Sequence, residues 1–213
     1  MNKIPVNVKA VLFDMDGVIL DSMEYHAKSW VKILNDRGLT VTENDIYITE
    51  GIKPSELIEK AYKNNSQKID KSQIPLILEE KVNYFYKNYS LKLFPDAKEC
   101  IEKLFEKGFL LSVVSGSIKK SVEKVLSEFE LKKYFHFVVH SDLVKKGKPH
   151  PETFFKACEG LKIKPEECVC IENAPFGIKG AKSAGIFVCG ISTTLSAEIL
   201  YSAGADIVFD THK

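Results

Sequence analysis

Residues 11 to 20 read VLFDMDGVIL, an apolar run that ends in two acids, Asp14 and Asp16, followed by Gly17. The run from Val8 to Phe13 has the near-continuous apolarity of a strand buried on both faces, as in a parallel sheet. In such sheets ligands bind beyond the carboxyl ends of the strands, and that is where the acids fall. With Gly17 allowing a sharp turn, the i, i+2 spacing lets both carboxylates face one small site while Met15 points away. Carboxylates so close repel each other, and a divalent cation is the simplest compensation. A turn carrying two solvated aspartates is the plainer alternative, and it would predict no distant partners.

Working outward, similar apolar runs occur at Phe109 to Val114, Phe137 to His140, Cys168 to Ile171, Ile186 to Cys189 and Ile207 to Phe209. Amphipathic stretches lie between them: Ala97 to Lys107, Ile118 to Phe129, Pro151 to Leu161, Phe176 to Ala184 and Leu195 to Ala203. The alternation predicts an α/β fold built on a doubly wound parallel sheet. Residues 22 to 90 break the rhythm, with helical periodicity at Tyr25 to Leu34, Glu56 to Tyr62 and Ile74 to Tyr89 and a polar connection, KNNSQKIDKSQ. The expectation is a core of residues 1–20 and 91–213 with an inserted all-helical cap, 21–90.

The chain has 213 residues, 45% of them apolar, enough for one core and a modest second unit. With 30 basic against 29 acidic residues and no block of like charge, nucleic acid is not an expected partner. No apolar run approaches the ~20 residues that cross a bilayer, and no signal segment is evident, so a cytoplasmic protein without a membrane partner is expected. The five cysteines are scattered and lack zinc-site spacing; they read as reduced, mostly buried residues. Oligomeric state is not legible.

Later segments supply further chemistry. LLSVVSGS ends a strand at Ser115, with Gly116 and Ser117 opening the next helix, an arrangement suited to phosphoryl oxygens and equally to a simple helix cap. KKGKPHPETF carries Lys148 near a helix start, with Lys145 and Lys146 as solvated neighbours and His150 between two prolines. CIENAPFGIKGAKSAG places Glu172 and Asn173 after another strand, Asn173 being either a metal ligand or a cap.

Together FDMDGVILDS, Ser115, Lys148 and Glu172-Asn173 resemble, over nearly the whole chain, the motifs of the haloacid dehalogenase superfamily of aspartate-nucleophile phosphotransferases. The resemblance implies that Asp14 attacks phosphorus and that Asp16 serves as general acid and base. It also implies that Lys148 offsets charge and that Asp14, the Asp16 carbonyl, Glu172 and Asn173 hold Mg²⁺. Asn173 stands where a second acid is usual. LDSMEYHAKSWVKIL is similar to β-phosphoglucomutases and related sugar-phosphate phosphatases, in which the residue matching His26 lies near the general acid. Mutases of this group carry an arginine three residues after a lid glycine; here Gly51 is followed by Lys53 and Pro54, so Pro54 takes that place and Lys53 is the nearest substitute for gripping a distal phosphate. Hydrolysis of a small phosphorylated metabolite is therefore expected, with a mutase or a non-catalytic binding protein on the same scaffold as alternatives.

Overall fold

The computed structural model describes residues 5–212. Among them one sheet has strands β1 (Ala10–Phe13), β2 (Leu110–Val114), β3 (Phe137–Val139), β4 (Cys168–Glu172), β5 (Phe187–Ile191) and β6 (Ile207–Phe209). Their order is β3-β2-β1-β4-β5-β6, and every pairing is parallel. β1 lies between β2 and β4, Val11 opposite Leu111 on one side and Val169 on the other. The first strand thus returns to the centre of a sheet whose other strands are made almost a hundred residues later.

β1 is buried throughout, and its alternate side chains enter different cores. Ala10 and Leu12 join Phe154, Ile178 and Leu200 from α7 (Glu152–Leu161), α8 (Pro175–Ser183) and α9 (Ala197–Ala203). Val11 and Phe13 join Ile101 of α5 (Ala97–Glu106) and Val122 of α6 (Lys119–Glu128) on the other face. Two covered faces explain why the strand is apolar at every position. Phe13 is 1% exposed, so its truncation to alanine is expected to cost about 3–5 kcal/mol.

Between β1 and α5 the chain forms α1 (Met23–Asn35), α2 (Glu43–Tyr47), α3 (Pro54–Asn64) and α4 (Ile74–Asn88). These helices have their own core, in which Trp30 and Leu34 of α1 meet Ile58 of α3 and Ile77 of α4. The chain crossings into and out of the insert run side by side: Asp21 donates to the Lys92 carbonyl at 2.8 Å and Phe94 to the Ile19 carbonyl at 3.0 Å. α2 has no counterpart in the periodicity, because five residues are too short for a repeat. It is fixed by a capping box in which Thr42 and Asp45 bond each other's backbone amides.

Strand ends differ from the sequence expectation by up to two residues: β1 starts at Ala10 rather than Val8 and β5 runs on to Ile191. The five cysteines are free, all buried except half-buried Cys100. Among the described residues no helix is long and apolar enough to cross a membrane.

Candidate active site

Asp14, Ser115 and Glu172 stand at the carboxyl ends of β1, β2 and β4, three adjacent strands at the centre of the sheet. Here helices pass to opposite faces, leaving a crevice. The Asp14 amide donates to the Ile171 carbonyl at 3.0 Å, which fixes the start of the acidic loop. The loop then turns at Gly17, whose φ is +81°. A Cβ there would stand 2.0 Å from Asn173 Nδ2, so only glycine lets the loops after β1 and β4 touch.

Lys148 is 1% exposed, and its Nζ lies 2.5 Å from both Asp14 Oδ1 and Glu172 Oε1. Burial works against its charge, but Asp14 and Glu172 outweigh burial and hold the ammonium above the usual lysine range. Burial pushes the Asp14 carboxyl up to about 8; Lys148 pulls against that and Glu172 and Asp16 add to it. Asp16 is tuned the other way. Burial raises it, yet His26 Nε2 at 3.1 Å, the Ser22 hydroxyl at 2.7 Å and the Ser117 hydroxyl at 2.9 Å outweigh this and keep it below the usual carboxylate range. Two acids of one loop are thus driven apart.

His26 is itself held from behind. Lys81 of α4 places its Nζ 2.5 Å from His26 Nδ1, which directs the other ring nitrogen, as donor, at Asp16. Burial and Lys81 lower the imidazole against the pull of Asp16. Burial brings Lys81 down to about 7, and its ammonium sits 5.2 Å from the Trp30 ring centroid and 5.0 Å from that of Phe85.

The helical insert closes over these groups. A Cβ on Gly116 would stand 2.6 Å from the Gly51 carbonyl oxygen, a measure of how tightly the two backbones meet. Beside this contact Glu50 enters the site from the insert, 7% exposed, and receives Asn173 Nδ2 at 2.9 Å on each carboxylate oxygen. Burial and the neighbouring Asp14 raise Glu50 well above its usual value, although the Asn173 amide works the other way. Asn173 Nδ2 also donates to Thr194 Oγ1 at 3.0 Å, while Asn173 Oδ1 is buried without a hydrogen-bond partner. A cavity of about 90 Å³ remains, lined by Asp14, Asp16, Glu50, Lys81 and Ser115 and walled by apolar residues such as Pro54.

Residues 11–191 match the model of the haloacid dehalogenase-like hydrolases. The chain belongs to this family. The hydrolase is 30% identical, over 93% of its length and 92% of the relative's, to a phosphorylated carbohydrates phosphatase of Thermotoga maritima. It is 28% identical, over 95% and 93% of the two chains, to β-phosphoglucomutase of Bacillus subtilis. Among solved structures it resembles β-phosphoglucomutase from Clostridium difficile with a TM-score of 0.85 at 26% identity, covering 96% of this chain and 92% of that one.

In the hydrolase, Asp14, Asp16, Ser115, Gly116, Ser117 and His26 meet at one cavity, with Lys148, Glu172 and Asn173 directly beneath. Ser115 Oγ accepts the Ser117 amide at 3.0 Å, a turn bond ahead of α6, whose N-cap is Ile118, so Ser115 does not cap that helix. Lys53 departs from expectation: it does not reach for a distal phosphate, because its Nζ donates to the Val144 carbonyl at 2.9 Å and its stem packs on Gly147. His150 is exposed and accepts the Glu152 amide at 3.2 Å. Glu50 and Lys81 escaped the sequence reading. A lysine on the stripe Ile77, Lys81, Phe85, otherwise the buried face of α4, was the available signal for one. An acid directly before the lid glycine was the signal for the other.

Among the described residues no three His, Cys, Asp or Glu side chains already converge as a metal site, and Lys148 stands between Asp14 and Glu172. The donor set nevertheless fits a hard cation. Asp14, Asp16, Glu50 and Glu172 crowd one buried place with Lys148, and the orphaned Asn173 Oδ1 is an oxygen in want of a partner. Mg²⁺ keeps several waters and binds through one or two carboxylates and substrate phosphate rather than in an all-protein cage.

Proposed function

We propose that this hydrolase is a Mg²⁺-dependent phosphatase of small phosphorylated sugars or related metabolites, acting through a phosphoryl-aspartate at Asp14. The observation that carries the reading is the division of labour between two acids of one loop: Asp14, paired with Lys148, and Asp16, held ionised by Ser22, His26 and Ser117. Asp14 Oδ attacks phosphorus as the ester oxygen leaves in line. Lys148 spreads the negative charge of the phosphoryl oxygens, with the Ser115 hydroxyl and the Gly116 and Ser117 amides. Asp16, while ionised, can take the proton of the attacking water; donating a proton to the leaving oxygen requires it to be protonated first, and His26 controls that exchange. Asp14, the Asp16 carbonyl, Glu172 and Asn173 would hold Mg²⁺, which supplies positive charge against the transferring group. The insert excludes bulk water.

Substrate size follows from the cavity. Its ~90 Å³ is well below the ~300 Å³ at which pockets for drug-sized ligands begin, so a phosphoryl group with a small leaving group fits, and larger sugars enter only when the insert opens. The Thermotoga relative's name supports a phosphorylated carbohydrate. A mutase is the second reading, favoured by the relatives named β-phosphoglucomutase. Against it stands the apolar Pro54 where a guanidinium would grip a second phosphate.

The test is phosphate release from sugar phosphates, phosphoglycolate, pyrophosphate and p-nitrophenyl phosphate, with and without Mg²⁺. Metal-dependent release from at least one is expected; a folded protein inert on all of them would refute the proposal. Glucose 6-phosphate formed from β-glucose 1-phosphate with a trace of the bisphosphate would instead establish the mutase.

A further inference from the structure

Asn173 is wholly buried, and both ends of its amide are accounted for in different ways. Nδ2 has two N–H donors, and two acceptors from separate parts of the chain meet it: the Glu50 carboxylate from the insert at 2.9 Å and the Thr194 hydroxyl from the loop after β5 at 3.0 Å. Oδ1 is left with no partner. An unsatisfied buried acceptor is costly, so Oδ1 is an oxygen suited to taking a cation. Turning the amide over would take Nδ2 away from both of its acceptors, Glu50 and Thr194. Thr194 adds position, and the adjacent Thr193 anchors its loop by donating to the Gly17 carbonyl at 2.5 Å.

We propose that Thr194 and Glu50 are positioning residues that hold the Asn173 amide with its oxygen presented to the metal. An aspartate, with two equivalent oxygens, would need no such device; an asparagine does, because only one of its ends can bind a cation. Thr194, in a loop (192–195) that carries no catalytic group, thereby tunes metal affinity. This inference rests on the Mg²⁺-dependent reading.

The test is calorimetric titration of Mg²⁺ into the parent chain, Thr194→Val, Thr194→Ser and Glu50→Gln, folding being checked by circular dichroism. Removing partners of metal ligands lowers affinity about 10–100-fold, and a loss of that size is expected for Thr194→Val. Glu50→Gln, which can receive either end of the amide, also weakens binding, whereas Thr194→Ser keeps the parent affinity. In an Asn173→Asp background Thr194→Val adds no further loss. Unchanged affinity in Thr194→Val, or an equal loss in the Asp background, overturns the inference while leaving a metal-dependent phosphatase intact. A parent that neither binds Mg²⁺ nor hydrolyses any phosphomonoester overturns both.

Discussion

Lys148 Nζ lies 2.5 Å from Asp14 Oδ1 although the two residues are 134 positions apart, and the lysine side chain is 1% exposed. A buried charge that loses its partner is costly. Lys148→Met would leave Glu172 buried beside Asp14 without its cation, so it is expected to lower stability at neutral pH by about 3–5 kcal/mol. The stranded acids can recover by taking up protons, so the deficit relative to the parent shrinks as pH falls toward 5. Urea unfolding of both proteins at several pH values measures this; a pH-independent deficit would count against it.

Lys81 has the opposite effect on stability, because burial of its charge is a cost. Its pKa is near 7 in the folded chain against 10.5 when exposed, so between these values the unfolded chain binds the extra proton. Stability from this group therefore rises with pH through that window, by up to about 1.4 kcal/mol per unit. Lys81→Met removes a cost that is full below pH 7 and gone above 10.5. Its advantage over the parent should fade as pH rises from 7 to 10, whereas a constant difference would mean that Lys81 titrates as it does in the unfolded chain.

Metal binding should release a proton. Asp14 is pushed up to about 8 before a metal arrives, and a ligating carboxylate must be ionised. Mg²⁺ affinity is therefore expected to rise with pH up to about 8 and level off above it. Calorimetry at pH 7 in two buffers of different protonation enthalpy counts the protons. No release would show that Asp14 is already ionised or is not a ligand.

Much of this site is legible in the sequence, for a physical reason. Asp14, Ser115 and Glu172 follow strands, and a strand end in a parallel sheet has a predictable place, so linear motifs map onto one crevice. Lys148 follows from its motif, and its contacts fit the charge it must offset. The insert obeys no such rule. Lys53, Glu50 and Lys81 all lie in it, and which of them faces inward depends on how four helices pack and close. Lys53, chosen for its nearness to Gly51, turns to the Val144 carbonyl instead. Lys81 is buried because it completes the face of α4 that also carries Ile77 and Phe85.

Pro54 offers a gain of function. It lines the cavity at the first turn of α3, where loss of proline's fixed φ is tolerable. Pro54→Arg would bring a guanidinium to the wall of the cavity. A hydrogen bond to a charged group contributes about 1.5–3 kcal/mol, so KM for a bisphosphorylated sugar is expected to fall about tenfold or more, with little change for a monophosphate. An equal change for both substrates would show that the arginine does not reach the second phosphate.

The central claim is that an oxygen of Asp14 bonds transiently to phosphorus. Asp16→Asn removes the group that activates water, so the phosphorylated form should accumulate when this variant meets a good substrate with Mg²⁺. Acid quench followed by peptide mass spectrometry reads it directly. A phosphoryl adduct on Asp14, absent when Asp14→Asn is added, is the predicted result. Full turnover by Asp14→Asn, or an adduct on another residue, would contradict the account.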